Sequence, residues 1–90
     1  MAKIIKSNGK IENVEPKNGS NFTLEELKAF VGGWVEIVYM PHDELMVVNE
    51  EGKLADLPIN RTATLIYQEA FGYSDVIVGD VLLCENYQIQ

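Results

Sequence analysis

Apolar and polar residues alternate with a period of two in several short segments of the chain, which is the spacing of half-buried β-strands. The clearest segment is residues 34–40, which is rich in β-branched and aromatic residues. Its alternation puts Trp34, Glu36, Val38 and Met40 on one face and Val35, Ile37 and Tyr39 on the other. Pro41–Glu44 is predicted to be a turn, and Leu45–Asn49 to be the returning strand.

Three further strand segments are predicted. Lys3–Ser7 and Lys10–Glu15 flank Asn8-Gly9, a dipeptide that favours a tight hairpin turn. Asp80–Cys84 is apolar at consecutive positions, which indicates a strand buried on both faces. We expect Leu54 and Ala55 to begin a short additional strand, and the tail from Glu85 to be frayed or a weak edge strand.

Two segments carry helix signals. Thr23–Glu26 is a capping box, and Gly32-Gly33 follows the apolar stripe as a helix stop. Asn60 is placed as the N-cap of a second helix that runs from Arg61 to about Phe71, with Gly72 as its stop. The residues expected to face inward from this helix are Ala63, Ile66, Tyr67 and Ala70.

The order of these elements is hairpin, helix, hairpin, helix, strand, which is typical of an α+β protein. We therefore predict a two-layer sandwich in which a mostly antiparallel sheet of about five strands carries two short helices on one face. A chain of 90 residues makes a single domain, residues 1–90. We expect Trp34, which directly follows the double glycine, to belong to the core.

Charge is unevenly distributed along the chain. The net charge is −7, and residues 31–90 contain Lys53 and Arg61 against ten acidic residues. This distribution argues against direct nucleic-acid binding, which requires clustered Lys and Arg, and it favours a basic partner or simple solubility. No apolar run approaches the roughly 20 residues that span a bilayer, and no secretory signal precedes the domain, so we expect a cytoplasmic protein without membrane contact.

The sequence offers little for catalysis or metal binding. His42 is the one histidine, and it lies in a turn without a second histidine or cysteine at ligand spacing. Cys84 ends an apolar run and is interpreted as a small core residue. No glycine-rich phosphate loop opens a helix. We predict no catalytic residue, no metal and no cofactor.

Acidic residues are concentrated in the central hairpin and the turns beside it. Six of them fall within twenty-one residues, opposed only by Lys53; they are Glu36, Asp43, Glu44, Glu50, Glu51 and Asp56. Carboxylates spaced along a rigid sheet can imitate nucleic-acid phosphates. The alternative is that they are turn residues and edge-strand charges that discourage aggregation.

Arg61 is the only guanidinium group of the chain. Arginine suits bidentate recognition of a carboxylate or phosphate, so it can form a small polar pocket with nearby amides and aromatic rings. The candidate binding residues are Asn49, Glu50, Glu51, Asn60, Arg61 and Tyr67. The alternative is a structural ion pair between Arg61 and one of the neighbouring acids.

Several stretches resemble a family of small proteins with a domain of unknown function, typical of bacteriophages and of plasmid-like or conjugative elements. They are Leu24–Val38, Val48–Leu54, Leu57–Asn60 and Ile77–Cys84, of which Asn49-Glu50-Glu51-Gly52 and Leu57-Pro58-Ile59-Asn60 are the most specific. The resemblance implies an accessory role in a phage or mobile element, and it transfers no catalytic residue.

These observations lead to three hypotheses. The first is a non-catalytic binding protein that captures a small anionic ligand or a host protein, and that forms a homodimer through its sheet edges. The second is an acidic DNA mimic that inhibits a nucleic-acid-binding protein. The third is an enzyme of unknown chemistry.

Overall fold

The computed structural model describes residues 2–72 and 75–89. Within these ranges the chain forms five strands and two α-helices, followed by a short 3-10 helix at Asn86–Gln88. The elements are β1 (Ala2–Ile5), β2 (Ile11–Val14), α1 (Leu24–Val31), β3 (Val35–Met40), β4 (Glu44–Asn49), α2 (Arg61–Phe71) and β5 (Val81–Glu85). The α+β class, the five-stranded sheet and both helices are therefore confirmed.

The strands form one sheet in the order β2-β1-β5-β4-β3, and every neighbouring pair is antiparallel. The most apolar strand, β5, lies in the middle, as expected for a strand that is buried on both faces. β2 and β3 form the two edges of the sheet. Their outer backbone groups are therefore the ones that a further strand can reach.

The two helices cover opposite faces of the sheet. Leu27 and Val31 of α1 pack with Leu45 and Val47 of β4. On the other face, α2 packs with a cluster that contains Met46, the residue between those two. Since neighbouring strand residues point to opposite faces, the expectation that both helices lie on one face is wrong. Both faces of the sheet are apolar, so each needs its own cover.

Both predicted helix starts and stops are present. The Glu26 amide donates to the Thr23 hydroxyl oxygen at 3.2 Å, and the Thr23 amide donates to the Glu26 carboxylate at 2.9 Å. These bonds complete the capping box, and backbone bonds to the carboxylate lower the pKa of Glu26. Gly32 and Gly72 end the helices in the left-handed conformation.

Three local expectations differ from the structure. Leu54 and Ala55 lie in a series of turns and form no strand. The tail forms the 3-10 helix at Asn86–Gln88 instead of a frayed end or an edge strand. Trp34 is 57% exposed, and the Lys28 ammonium lies 3.9 Å from its ring centroid. A cation–π contact, and not core packing, therefore holds the indole ring.

The two α-helices of the described part of the chain are eight and eleven residues long, and no helix there is long and apolar enough to cross a bilayer.

Candidate functional site

A cleft of about 460 Å³ lies beside the edge strand β3. β3 and β4 form one side of it, and α2 together with residues 75–78 forms the other. The turns after β4 contribute Lys53 and Leu54 at one end. The cleft therefore lies on the face of the sheet that α2 covers, next to the edge strand that α2 does not reach.

The cleft has an apolar floor and a charged rim. Val38, Val48 and Ile77 belong to the core cluster under α2 and also line the cleft. Leu54 also lines it, with a side chain that is 88% exposed. A concave surface with an apolar floor and a few polar groups at its rim is the default candidate for a binding site.

Three carboxylates and one ammonium group lie among the residues that line the cleft. Glu36 and Glu50 are exposed on the sheet side, and Asp75 is exposed on the opposite side. The Lys53 ammonium donates to the Asp75 carboxylate at 2.6 Å, and this bond lowers the pKa of Asp75. Because Lys53 is paired with Asp75, the charges of Glu36 and Glu50 give the rim an excess of negative charge.

The hydrogen-bond register determines which backbone groups of β3 remain open. The Glu50 amide donates to the Trp34 oxygen at 2.8 Å, so these two opposite residues form a hydrogen-bonded pair. Bonded and non-bonded pairs alternate along an antiparallel ladder. The even-numbered residues of β3 therefore bond to β4, and Val35, Ile37 and Tyr39 direct their N–H and C=O groups toward the open edge.

This edge has few features that would block a further strand. β3 pairs with β4 without interruption over six positions, and it contains no proline and only one charged residue, Glu36. Proline, bulges and lysine are the usual protections of an edge strand. Tyr39 is 74% exposed at the end of the strand. The β3 edge, defined here as the outward groups of Val35, Ile37 and Tyr39, is therefore available for pairing.

Asn49 is one of the predicted site residues that line the cleft, and its side chain has structural partners. Its amide nitrogen donates to the Val31 oxygen at 3.1 Å, near the end of α1. Its amide oxygen accepts from the Glu51 amide at 2.8 Å. Asn49 therefore fixes the turn that carries Glu50, and Glu51 is not among the residues that line the cleft.

Asn60 is completely buried, and its side chain is fully used within the protein. The amide nitrogen donates to the oxygens of Ile5 and Gly79, both at 2.8 Å. The amide oxygen accepts from the Ala63 amide at 3.0 Å, which is the predicted N-cap bond. Asn60 thus joins α2 to β1 and to the segment before β5.

Arg61 lies apart from the cleft. It is exposed in the first turn of α2, and it forms no salt bridge within 4.0 Å in residues 2–72 and 75–89. Arg61 is not among the residues that line the cleft, and no ion pair joins it to the neighbouring acids among the described residues. Tyr67, from the inward face of α2, does line the cleft and packs against Phe71 with ring centroids 5.1 Å apart.

The acidic residues of the central hairpin fall into two groups. Glu36 and Glu50 lie on the rim of the cleft. Asp43 and Glu44 lie at the opposite end of the hairpin, where Met40 pairs with Glu44. Glu50 follows Glu44 by six positions along the strand, which is a distance of roughly 20 Å. These positions do not test the hypothesis of an acidic DNA mimic, which stays a prediction.

Cys84 and His42 are the two side chains of the chain that most often serve as nucleophile or metal ligand, and their surroundings in the described residues are as follows. Cys84 is buried, and desolvation raises the pKa of its thiol to about 11, so the thiol is not activated as a nucleophile. His42 is exposed in the turn between β3 and β4. In the described ranges, no three His, Cys, Asp or Glu side chains are grouped closely enough to hold a metal ion.

Sequence reasoning missed several residues of the cleft, notably Leu54, Asp75 and Val78. Residues 75–78 lie beyond α2, and the isolated bridge between Ile59 and Val78 helps to place this segment beside the sheet. Leu54 was expected to begin a short strand, so its sequence context gave no sign that it would line a cleft.

The chain matches no curated protein and no solved structure. Residues 2–88 match a family described as a domain of unknown function, DUF3846. This range includes all five strands of the sheet and both α-helices that pack on it. This match extends well beyond the stretches on which the resemblance was first based. The chain is a member of the DUF3846 family.

Proposed function

We propose that this protein is a non-catalytic binding protein that captures a partner protein at the cleft beside β3. The observation that carries the proposal is the position of the cleft. An apolar floor, an acidic rim and an unpaired strand edge lie side by side. Each of these features alone is common on protein surfaces, and together they offer the apolar core, polar rim and backbone bonds of an interface.

A protein partner fits this cleft better than the small anionic ligand that the sequence suggested. The rim presents Glu36 and Glu50, which repel an anion. Arg61, the side chain best suited to an anion, is not among the residues that line the cleft. The partner is therefore expected to present basic and apolar groups together.

The exposure of the rim supports binding over catalysis. Glu36, Glu50 and Asp75 are all exposed to solvent. General acid–base catalysis relies on carboxylates whose surroundings exclude water and shift their pKa toward neutrality. Exposed carboxylates attract and orient a charged partner at long range, which is a function of interface rims.

The proposed biological setting is a bacteriophage or another mobile element. The resemblance that led to this setting rests on the segments around Asn49–Gly52 and Leu57–Asn60. The first of these segments carries Glu50 of the cleft rim. In such a setting the partner is a host protein, and the accessory protein acts by occupying one of its surfaces.

Leu54 provides a sharp test of this proposal. Because its side chain is 88% exposed, Leu54→Asp is expected to leave the free energy of unfolding nearly unchanged. Leu65 is 63% exposed on α2 and does not line the cleft, so Leu65→Asp is the matched control. Wild type and both variants are immobilised, exposed to lysate from the natural host, and the retained proteins are quantified by mass spectrometry.

The proposal expects at least one host protein that wild type and Leu65→Asp retain equally and that Leu54→Asp loses. Its retention on wild type is also expected to fall at high salt, because the rim contributes through exposed charges. Equal retention of every host protein by all three immobilised proteins would show that the cleft is not the binding surface, and the proposal would then be abandoned.

A further inference from the structure

We infer that the partner binds as an added β-strand on the β3 edge, through an extended segment in which basic and apolar side chains alternate. This inference rests on the proposed function and specifies the partner and its binding mode. Strand addition to an exposed sheet edge gives affinity through main-chain bonds, and pockets beside the edge select the side chains.

The backbone of β3 supplies the first part of the argument. Val35, Ile37 and Tyr39 each turn an N–H and a C=O group away from β4, so the edge offers three donors and three acceptors in register. These residues alternate with the positions that bond to β4. An added strand can therefore pair over the length of β3 without disturbing the existing sheet.

The cleft supplies the second part. Glu36 and Val38 point to the face of the sheet on which the cleft lies, and both line it. Every second side chain of an added strand falls on this same face, because strand residues alternate. Lys or Arg side chains there can reach Glu36 and Glu50, and their aliphatic stems can pack over Val38 and Leu54. The apolar side chains of the alternating segment then fall on the opposite face of the sheet.

Charge decides between this partner and a second copy of the chain. Pairing of two β3 edges about a twofold axis would bring the acidic rims of both copies, with Glu36 and Glu50 on each, toward one interface. Each copy also carries a net charge of −7. Like charges at close range oppose association, whereas a basic segment gains attraction from the same groups.

The test uses the synthetic peptide Lys-Val-Lys-Val-Lys-Val, acetylated and amidated at its ends, as a probe of this chemistry. It is titrated into isotope-labelled protein, and amide chemical shifts and hydrogen exchange are followed by NMR. We expect the amides of Val35, Ile37 and Tyr39 to shift and to gain protection from exchange. Two control peptides replace Lys by Glu, or carry N-methyl groups on alternate amides, and both should bind at least about tenfold more weakly.

Substitutions at Tyr39 test the same backbone pairing by changing the protein instead of the peptide. Tyr39→Pro removes an outward N–H group, and it leaves the bonds to β4 intact because proline is tolerated at such positions of edge strands. Tyr39→Thr keeps the N–H group and removes the same exposed ring. We expect the Pro variant to bind the Lys-Val peptide about tenfold more weakly than the Thr variant. If the Pro variant does not fold, the N-methylated peptide on the wild type provides the equivalent comparison.

Equal affinity for the plain and N-methylated peptides, or shifts located away from β3, would overturn the inference. Protection of the three outward amides that increases with protein concentration and without peptide would assign the edge to a second copy, which also overturns it. The proposed function is tested separately by the Leu54→Asp bait. A host protein that Leu54→Asp fails to retain and that Tyr39→Pro still retains would support the proposed function and exclude strand addition as the binding mode.

Discussion

The side-chain amide of Asn60 donates a hydrogen bond to the backbone oxygen of Ile5, 55 positions earlier in the chain, over 2.8 Å. The same nitrogen donates to Gly79, and the amide oxygen caps α2 through Ala63. One buried residue therefore fixes the position of α2 relative to β1 and to the entry of β5. This explains a polar side chain with no exposed surface in a small core.

Asn60→Ala is expected to lower the free energy of unfolding by about 2–4 kcal/mol, because the cap is lost and two buried carbonyl oxygens lose their donor. Asn60→Asp keeps the cap acceptor but places a carboxylate against those oxygens, so it should cost more at neutral pH. Urea unfolding measures both variants, with exposed Asn13→Ala as the control. A loss below about 1 kcal/mol for Asn60→Ala would contradict the role assigned to this residue.

Arg61→Ala is expected to change the free energy of unfolding by less than about 0.5 kcal/mol. Arg61 is exposed and has no salt bridge to the described residues, although it directly follows Asn60. Urea unfolding in parallel with Asn60→Ala gives the comparison between neighbouring residues. A loss above about 1 kcal/mol would indicate the structural ion pair that the sequence offered as an alternative.

Gly79→Ala and Gly32→Ala separate backbone strain from close packing. Both glycines have positive φ, at +75° and +81°. A Cβ atom at Gly79 would lie 2.8 Å from the Leu57 side chain, whereas one at Gly32 would meet nothing within 4 Å. We expect both variants to lose about 1 kcal/mol from strain, and Gly79→Ala to lose roughly a further 1–3 kcal/mol from overpacking.

A double variant tests the second part of that expectation. Leu57→Ala shortens the side chain that a Cβ at Gly79 would meet, so it should relieve the additional loss in Gly79→Ala and leave Gly32→Ala unaffected. The free energies of unfolding of the single and double variants form a thermodynamic cycle. If the losses from Gly79→Ala and Leu57→Ala simply add, the extra cost has another origin.

The raised pKa of the buried Cys84 thiol predicts that the free energy of unfolding falls at alkaline pH. Burial raises the pKa of its thiol from 9.0 to about 11, so the unfolded state releases this proton first as pH rises. The stabilising contribution is complete below pH 9 and is lost as pH rises toward 11, by about 2–3 kcal/mol. Unfolding measured at several pH values should show a smaller alkaline loss for Cys84→Ala than for the wild type. Parallel curves for the two proteins would contradict this assignment.

The same burial predicts a slow reaction of Cys84 with an aromatic disulfide reagent at pH 8. The folded thiol is neutral and buried, so the reagent must wait for an opening of the structure. The reaction should accelerate in urea in proportion to the unfolded fraction. Rapid labelling of the folded protein without urea would show that the thiol is reached by another route.

Local signals determined the elements of this fold. The capping box at Thr23–Glu26, the N-cap at Asn60 and the two left-handed glycines after the helices act over a few residues, so they are readable without tertiary contacts. The alternation in residues 34–40 likewise assigned the faces of β3 correctly. Each of these features depends on backbone geometry within one or two turns.

The candidate site was less accessible to such reasoning. Asn49, Glu50 and Tyr67 were singled out and line the cleft, but Arg61 and Asn60 lie elsewhere. An amide beside a lone arginine looks like a binding pair in sequence. Whether the amide turns into the core depends on carbonyl oxygens of Ile5 and Gly79, which no local pattern places beside it.

The sequence by itself determined the α+β class, the bounds of the helices and the apolar character of β5, because capping, glycine stops and alternation are local physics. Only the tertiary structure decided that the helices cover opposite faces, that Trp34 lies outside the core, and that β3 is an edge beside a cleft. These outcomes depend on strand order, and strand order is set by the joint burial of two apolar faces rather than by any one segment.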